Sequence, residues 1–147
     1  MSETLPLSET LPLSKTLSPV RDGPILETFK EFTFEAAHQT PPFSTLHGHS
    51  FHVTVYLRGE PDPVYGWSHN LFEVETVVED VRRQIDHRYL NELEGLEMPS
   101  LENVARWLWN ELDNRLGGLD RVLVRRGFDG QREGCSYSGR SWKEPVT

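Results

Sequence analysis

The sequence of 147 residues predicts an α+β fold in the order ββααββ, a four-stranded antiparallel sheet covered on one face by two helices. Two long stretches alternate apolar and polar side chains with the period of a strand. Two stretches further on repeat apolar residues at helical spacing. Two short alternating segments follow them.

From Glu27, the side chains of Lys30, Phe32, Phe34, Ala36 and His38 fall on one face, with Glu31, Thr33, Glu35 and Ala37 on the other. This is a half-buried strand. After a short loop holding Pro41 and Pro42 the alternation resumes, with His47, His49, Phe51, Val53, Val55 and Leu57 on one face against Ser50, His52, Thr54, Tyr56 and Arg58. A hairpin makes the second strand antiparallel to the first. The turn-rich GEPDPVYGW segment then gives way to a helical stripe of Val74, Val77, Val78, Val81 and Ile85. A second helix opens at Ser100, a good N-cap, with Glu102 in its first turn and Leu101, Val104, Ala105, Leu108, Leu112 and Leu116 on its buried stripe. Gly117-Gly118 ends it, and strands are expected over 121–126 and 133–140. Open strand edges in so small a sheet must be blunted or paired, so a ring of copies joined edge to edge is expected.

Residues 2–19 read SETLPL, SETLPL and SKTLSP, a hexapeptide repeated almost three times without an amphipathic face. We expect a disordered tail over 1–26, one catalytic domain over 27–140 and a short tail over 141–147. A hydrophobic content of 36% with 26% charged residues is that of a globular domain, and no apolar run is long enough to span a bilayer. The formal net charge of −8 argues against a polyanionic partner such as nucleic acid, which would call for clustered lysine and arginine. One cysteine, Cys135, excludes an intramolecular disulfide framework. With no signal-peptide pattern at the N-terminus, a reducing cytoplasm is the expected location.

Chemistry concentrates at His38, His47 and His49. His47-Gly48-His49 sends two imidazoles to the same side of a strand, with a glycine between them that lets backbone or ligand approach. Such a pair alone is more often a structural or solvated feature. His38, ending the preceding strand on its inward face, is brought beside them by the hairpin. Three imidazoles with an open fourth position are what zinc uses as a Lewis acid. His52, on the opposite face, and His69, in a turn, read as ordinary surface residues.

The order FEAAH, LHGHSFHV, a GW turn, IDHRYLN and PSLEN resembles the 6-pyruvoyltetrahydropterin synthase and 6-carboxytetrahydropterin synthase family from about Phe29 to Gly139. The resemblance implies the tunnelling fold, in which sheets of three subunits close into a barrel and two trimers stack into a hexamer with active sites between subunits. It also implies Zn2+ on His38, His47 and His49, and a small-molecule substrate. Asp86-His87 matches the family's Asp-His pair, in which a carboxylate orients an imidazole for proton transfer. On its position alone, Asp86 also has a second, less weighty reading as a helix-terminal cap.

Several functional positions depart from that pattern. Where the family carries its catalytic cysteine, the loop QTPPFST places Phe43 and supplies neither thiol nor glutamate. Cys135 aligns elsewhere and reads as a packed side chain. At the family's pterin-anchoring glutamate this chain has Val124-Arg125-Arg126, so a donor-only guanidinium replaces an acceptor-only carboxylate. Asp129 or Glu133 could reach the site from the loop that follows. The polar pair opening the second helix is Ser100-Leu101, and GW-x-x-D-F has become Gly66-Trp67-Ser68-His69-Asn70-Leu71.

These departures point to a retained scaffold, zinc and Asp-His pair acting on a smaller, carboxylate-bearing substrate. A Pictet–Spengler-type condensation and cyclisation, of an aldehyde with an aromatic amino acid or arylethylamine, needs no cysteine base. Zinc or an acid would activate the aldehyde or iminium, His87 with Asp86 would take the ring proton, Arg126 would hold the carboxylate, and Ser100 and Glu102 would line the substrate site. Two alternatives stand beside it: a pterin synthase or side-chain lyase acting on dihydroneopterin triphosphate, and an inactive binding or assembly homologue.

Overall fold

The computed structural model describes residues 23–140. The hexapeptide repeat and the tail expected over 141–147 lie outside the described residues, whereas 23–26 belong to the described part. Strand β1 (Leu26–Thr40) and strand β2 (Phe43–Gly59) form a long hairpin, followed by helix α1 (Leu71–Ile85), the two-residue strand β3 (Arg88–Tyr89), helix α2 (Leu101–Asp113), strand β4 (Leu119–Arg126) and strand β5 (Glu133–Tyr137).

The sheet has five strands in the order β3-β1-β2-β4-β5, one more than the sequence pattern predicts. The extra strand is too short for alternation to reveal it. Arg88 and Tyr89 pair parallel to Ala36 and Ala37 because the chain leaving α1 is tied onto the edge of β1, with the His87 N–H donating to the Glu35 carbonyl at 2.6 Å. The last strand stops at Tyr137 rather than Arg140. Beyond it Gly139, at φ 67°, passes so close to the Trp109 indole that a Cβ would sit 2.8 Å from that ring.

Both helices cover the same face of the sheet. Phe34, Phe51, Val53, Val55, Leu57, Val122 and Val124 meet Val74, Val78, Val81 and Ile85 of α1, and Val104, Ala105, Leu108 and Leu112 of α2. Removing that apolar surface from water, at about 25 cal/mol per Å², is the main force holding helices to sheet. Ser100 caps α2 as the sequence predicts, its Oγ accepting from the Asn103 N–H at 3.2 Å. Helix α1 is capped by Asn70, whose Oδ1 accepts from the Phe72 N–H at 3.1 Å. His69 is no ordinary surface residue: it is half-buried, with Nε2 donating to the Gly117 carbonyl at 2.7 Å, and it ties the β2–α1 connection to the turn before β4.

Candidate metal centre

The strand period sends His38, His47 and His49 to the helix-facing side of the sheet, at the end where the apolar core runs out. The register sets His38 opposite His47 and Ala36 opposite His49. Ring centroids then lie 4.6, 4.8 and 5.0 Å apart. Gly48 between them lets the strands close up, since a Cβ there would meet the Ala36 carbonyl oxygen at 3.2 Å.

Hydrogen bonds fix how the imidazoles present themselves. His38 Nδ1 donates to the Pro99 carbonyl at 3.0 Å and His47 Nδ1 to the Thr45 carbonyl at 2.9 Å. A carbonyl oxygen only accepts, so both Nδ1 atoms carry a proton, and in the neutral form of each ring Nε2 is the atom with a lone pair. Those Nε2 atoms face each other at 3.0 Å, an arrangement that repels unless a cation lies between them. His49 Nε2 is buried without a hydrogen-bond partner. Burial pushes the His38 pKa down despite the Pro99 hydrogen bond. Burial, and next the nearby Arg126 charge, lower His49 to about 4. At neutral pH both are therefore uncharged donors, the state a metal ligand requires.

One ligand atom from each histidine lies within 4.8 Å of the others, so the three could hold a metal ion. A tetrahedral ion with bonds of about 2.0–2.1 Å needs its nitrogens about 3.3 Å apart. Small ring rotations would supply that. Three nitrogen donors with no charged ligand also leave room for an exogenous oxygen, as a catalytic site must.

Asp86 and His87 are built from the end of α1. Asp86 is the C-cap of that helix, yet its carboxylate reaches past the helix end. Oδ1 accepts the Glu35 N–H at 2.9 Å, while Oδ2 accepts from Arg82 Nη2 at 3.1 Å and from His87 Nδ1 at 2.9 Å. Its pKa is held below the ordinary carboxyl value chiefly by the Glu35 N–H, then by the His87 hydrogen bond and the Arg82 charge. His87 takes φ 59°, a left-handed backbone that costs a non-glycine residue about 1 kcal/mol. The His87 N–H to the Glu35 carbonyl and the Glu35 N–H to Asp86 Oδ1 offset that cost, and the exposed His87 ring makes no hydrogen bond at Nε2 among the described residues.

The rest of IDHRYLN carries structure that motif reading missed. Asn91 Oδ1 accepts the Gln39 N–H and Asn91 Nδ2 donates to the Gln39 carbonyl, each at 2.9 Å, clamping the residue next to His38. Tyr89 Oη donates to Gln39 Oε1 at 2.9 Å. An amide that satisfies a backbone N–H and C=O together is a strand-edge clamp, and only the fold reveals its partner.

The other expected site residues divide. Arg126 stands opposite Phe51 beside His49, but its Nε already donates to Glu133 Oε1 at 2.7 Å. The field of Glu133 also reaches His49, so a carboxylate stands near the centre after all. Asp129 is pulled to Arg132 at 2.9 Å on the loop beyond. Phe43 opens β2 with its ring 6.2 Å from that of His47, so this wall is aromatic rather than nucleophilic. The Ser100 hydroxyl is committed to its helix cap, and Glu102 is exposed on the first turn of α2 near Cys135. Cys135 is half-buried against the core, and burial, then the Glu102 charge, push its thiol pKa up, which suits a packed side chain.

A cleft of about 1160 Å³ runs across this end of the molecule. Its walls include Glu35, His49, Ser50, His87, Phe128 and Arg132, so the strand of His49 and the Asp86-His87 turn border one space.

Comparison with known proteins gives these features a context. The family described as 6-pyruvoyl tetrahydropterin synthase matches residues 27–139. A 6-carboxy-5,6,7,8-tetrahydropterin synthase of Synechocystis sp. is 36% identical over 106 residues, covering 65% of this chain and 82% of that protein. A dihydroneopterin monophosphate aldolase of Pyrococcus furiosus is 32% identical over 100 residues, covering 65% of this chain and 84% of that one. Among solved structures, a Caenorhabditis elegans 6-pyruvoyl tetrahydropterin synthase superposes with a TM-score of 0.70 at 24% identity, over 80% of this chain and 98% of that chain.

Proposed function

The chain belongs to the 6-pyruvoyl tetrahydropterin synthase family, and from that premise we propose that it is a zinc-dependent enzyme of the family with a changed, carboxylate-bearing substrate. The observation that carries the metal is the set of three converging imidazoles, two of them aiming Nε2 atoms at each other 3.0 Å apart. His38, His47 and His49 would hold Zn2+. Bound there, the ion supplies Lewis-acid polarisation of a carbonyl oxygen.

The reaction we assign is the Pictet–Spengler-type closure. An amine nitrogen and an aldehyde carbon join with loss of water, an electron-rich ring carbon closes onto that same carbon, and the ring proton must then leave. His87 would take that proton. Its Nδ1–H is spent on Asp86, which leaves Nε2 as the base and stabilises the imidazolium once the proton arrives. Arg126 would hold the substrate carboxylate, and the absence of a thiol in the Phe43 loop supports a route that needs none. Ser100 serves the site through its cap, which fixes the peptide whose Pro99 carbonyl orients His38.

One observation favours a second reading. Glu133, held on Arg126 beside His49, puts a carboxylate where a pterin's amino edge could be read, and the relatives named above are named for pterin chemistry. Under that reading the protein would be a pterin synthase or side-chain lyase using Asp86-His87 without a cysteine. Zinc-loaded protein should therefore be incubated in parallel with dihydroneopterin triphosphate and with aldehyde and aromatic amine pairs, and the products identified by mass spectrometry. Turnover of the pterin at ordinary enzymatic rates, with none of the amines, ends the changed-substrate reading.

The open edges β3 and β5 support a homo-oligomer with sites between copies, since β3 carries Asp86-His87 beside it and β5 begins at Glu133. Joining those edges would bring one copy's Asp-His pair toward the next copy's Arg126 and Glu133. Among the described residues no helix is long and apolar enough to cross a membrane.

A further inference from the structure

At the end of the sheet remote from the histidines, the β2–α1 connection exposes an unusual density of apolar surface. Between residues 64 and 72, Val64 is 79% exposed, Tyr65 70% and Phe72 82%, with Trp67 and Leu71 exposed beside them. Single exposed apolar residues need no explanation, but five within nine residues of one connection mark a surface suited to being covered. The patch is also preformed. Tyr65 and Trp67 stack with centroids 4.5 Å apart, and the turn beneath them is held by Asp62, whose Oδ1 accepts the Val64 and Tyr65 N–H groups at 2.8 Å each.

The chain supplies a candidate cover at the same place. Residues 1–22 precede the described part, and the polypeptide enters the fold at Gly23, just before β1. There Leu26 pairs with Gly59, and Thr28 Oγ1 lies 2.7 Å from Ser68 Oγ, the residue after Trp67. The segment outside the structure thus ends within a few residues of the patch. Leu17, the nearest leucine of the repeat, stands six positions before Gly23, a reach of up to about 20 Å.

We propose that the Leu-Pro-Leu units of residues 2–19 dock on the Tyr65-Trp67-Phe72 patch of their own chain. The chemistry matches. Proline fixes φ before binding and so loses little entropy, and stacked aromatic faces are the surfaces that grip proline and flanking leucines in short extended ligands. Leu5-Pro6-Leu7 and Leu11-Pro12-Leu13 are the same ligand presented twice, followed by the variant Leu17-Ser18-Pro19. Tethering keeps such a ligand at a local concentration in the millimolar range, so a contact too weak to form between free molecules is occupied here. This accounts both for the duplication and for the exposed aromatic residues, neither of which the metal centre uses.

The test keeps the full chain and reads Trp67 directly. The emission of Trp67 is isolated by subtracting the spectrum of Trp67→Phe, and its quenching by acrylamide is compared between the parent and a variant with Leu5, Leu7, Leu11, Leu13 and Leu17 replaced by serine. The expected result is a quenching constant about threefold higher in the serine variant, unchanged by dilution, and lowered again by an excess of a peptide spanning residues 2–13. Equal quenching in parent and variant overturns the proposal. So does shielding that disappears on dilution in both proteins alike, which would assign the patch to a second copy of the chain.

Discussion

The same two strands serve two ends of this molecule differently. Along the helix-facing side of β2, Leu57, Val55, Val53 and Phe51 are fully buried under α1 and α2, and then, without any change of period, His49 and His47 follow. On β1, Phe34 and Ala36 lead in the same way into His38. Alternation therefore decides only which way a side chain points. What the face becomes depends on its cover: apolar helices over the middle, and over the end a carbonyl from Pro99 and a charged pair from β4 and β5. The core end is held by area removed from water, which tolerates similar shapes. The histidine end is held by donors and acceptors that must match one by one.

The sharpest way to break that contrast is His49→Ala. It removes the imidazole whose Nε2 has no partner, so the protein should keep its circular dichroism and much of its stability while losing stoichiometric metal. Activity should fall by about 10³-fold or more, equivalent to about 4 kcal/mol of transition-state stabilisation. Metal analysis and a rate measurement on the same preparation check this. An unchanged rate in metal-free variant protein would take the ion out of the mechanism.

At the other end, Val55→Ala should lower stability by about 2 kcal/mol in urea denaturation, because the site is fully buried and cannot collapse around the lost methyl groups. Metal content should not change. A drop in metal occupancy as large as that of the histidine variant would show that the two ends are one cooperative unit rather than two separately held regions.

Asn91→Ala probes the seam between them. Its amide clamps both backbone groups of Gln39, next to His38, so its loss should cost about 1–2 kcal/mol and also weaken metal retention against a chelator, at a site that touches no metal ligand directly. A loss of stability with metal retention untouched would make Asn91 purely a strand-edge clamp.

These contrasts also explain what could be read in advance. The hairpin, both helices and the histidine convergence were legible because each rests on a local period, 2 for the strands and 3.6 for the helices, and because a hairpin of two alternating strands fixes its own register. Strand β3 was not, since two residues carry no period and pair only because Glu35 ties down the chain after α1. The same distinction applies in the site. His38, His47 and His49 announce themselves by type and spacing, whereas the Pro99 and Thr45 carbonyls that set their tautomers are backbone atoms with no sequence signature. Arg126 was legible as a reversal of charge, but its capture by Glu133 depends on the β4–β5 register, which places the two directly opposite each other.

The smallest effect is expected at Asp86, where it should show as a dependence on pH. The folded carboxyl is held below its ordinary pKa, first by the Glu35 N–H and further by His87 and Arg82. The unfolded chain takes up that proton near pH 4 while the folded chain still refuses it. Stability from this group is therefore complete above about pH 4 and is lost as pH falls through the lower folded pKa. Asp86→Asn removes the titration, and it trades the ionised acceptor for a neutral amide whose N–H2 would face Arg82 and His87. The variant should be less stable than the parent at pH 7 by about 1 kcal/mol, and the gap should narrow as the pH drops toward 3. Urea midpoints for the pair at several pH values check this. A gap that stays constant would mean that Asp86 acts through shape alone, and that the hold of Glu35 on the Asp-His pair does not depend on its charge.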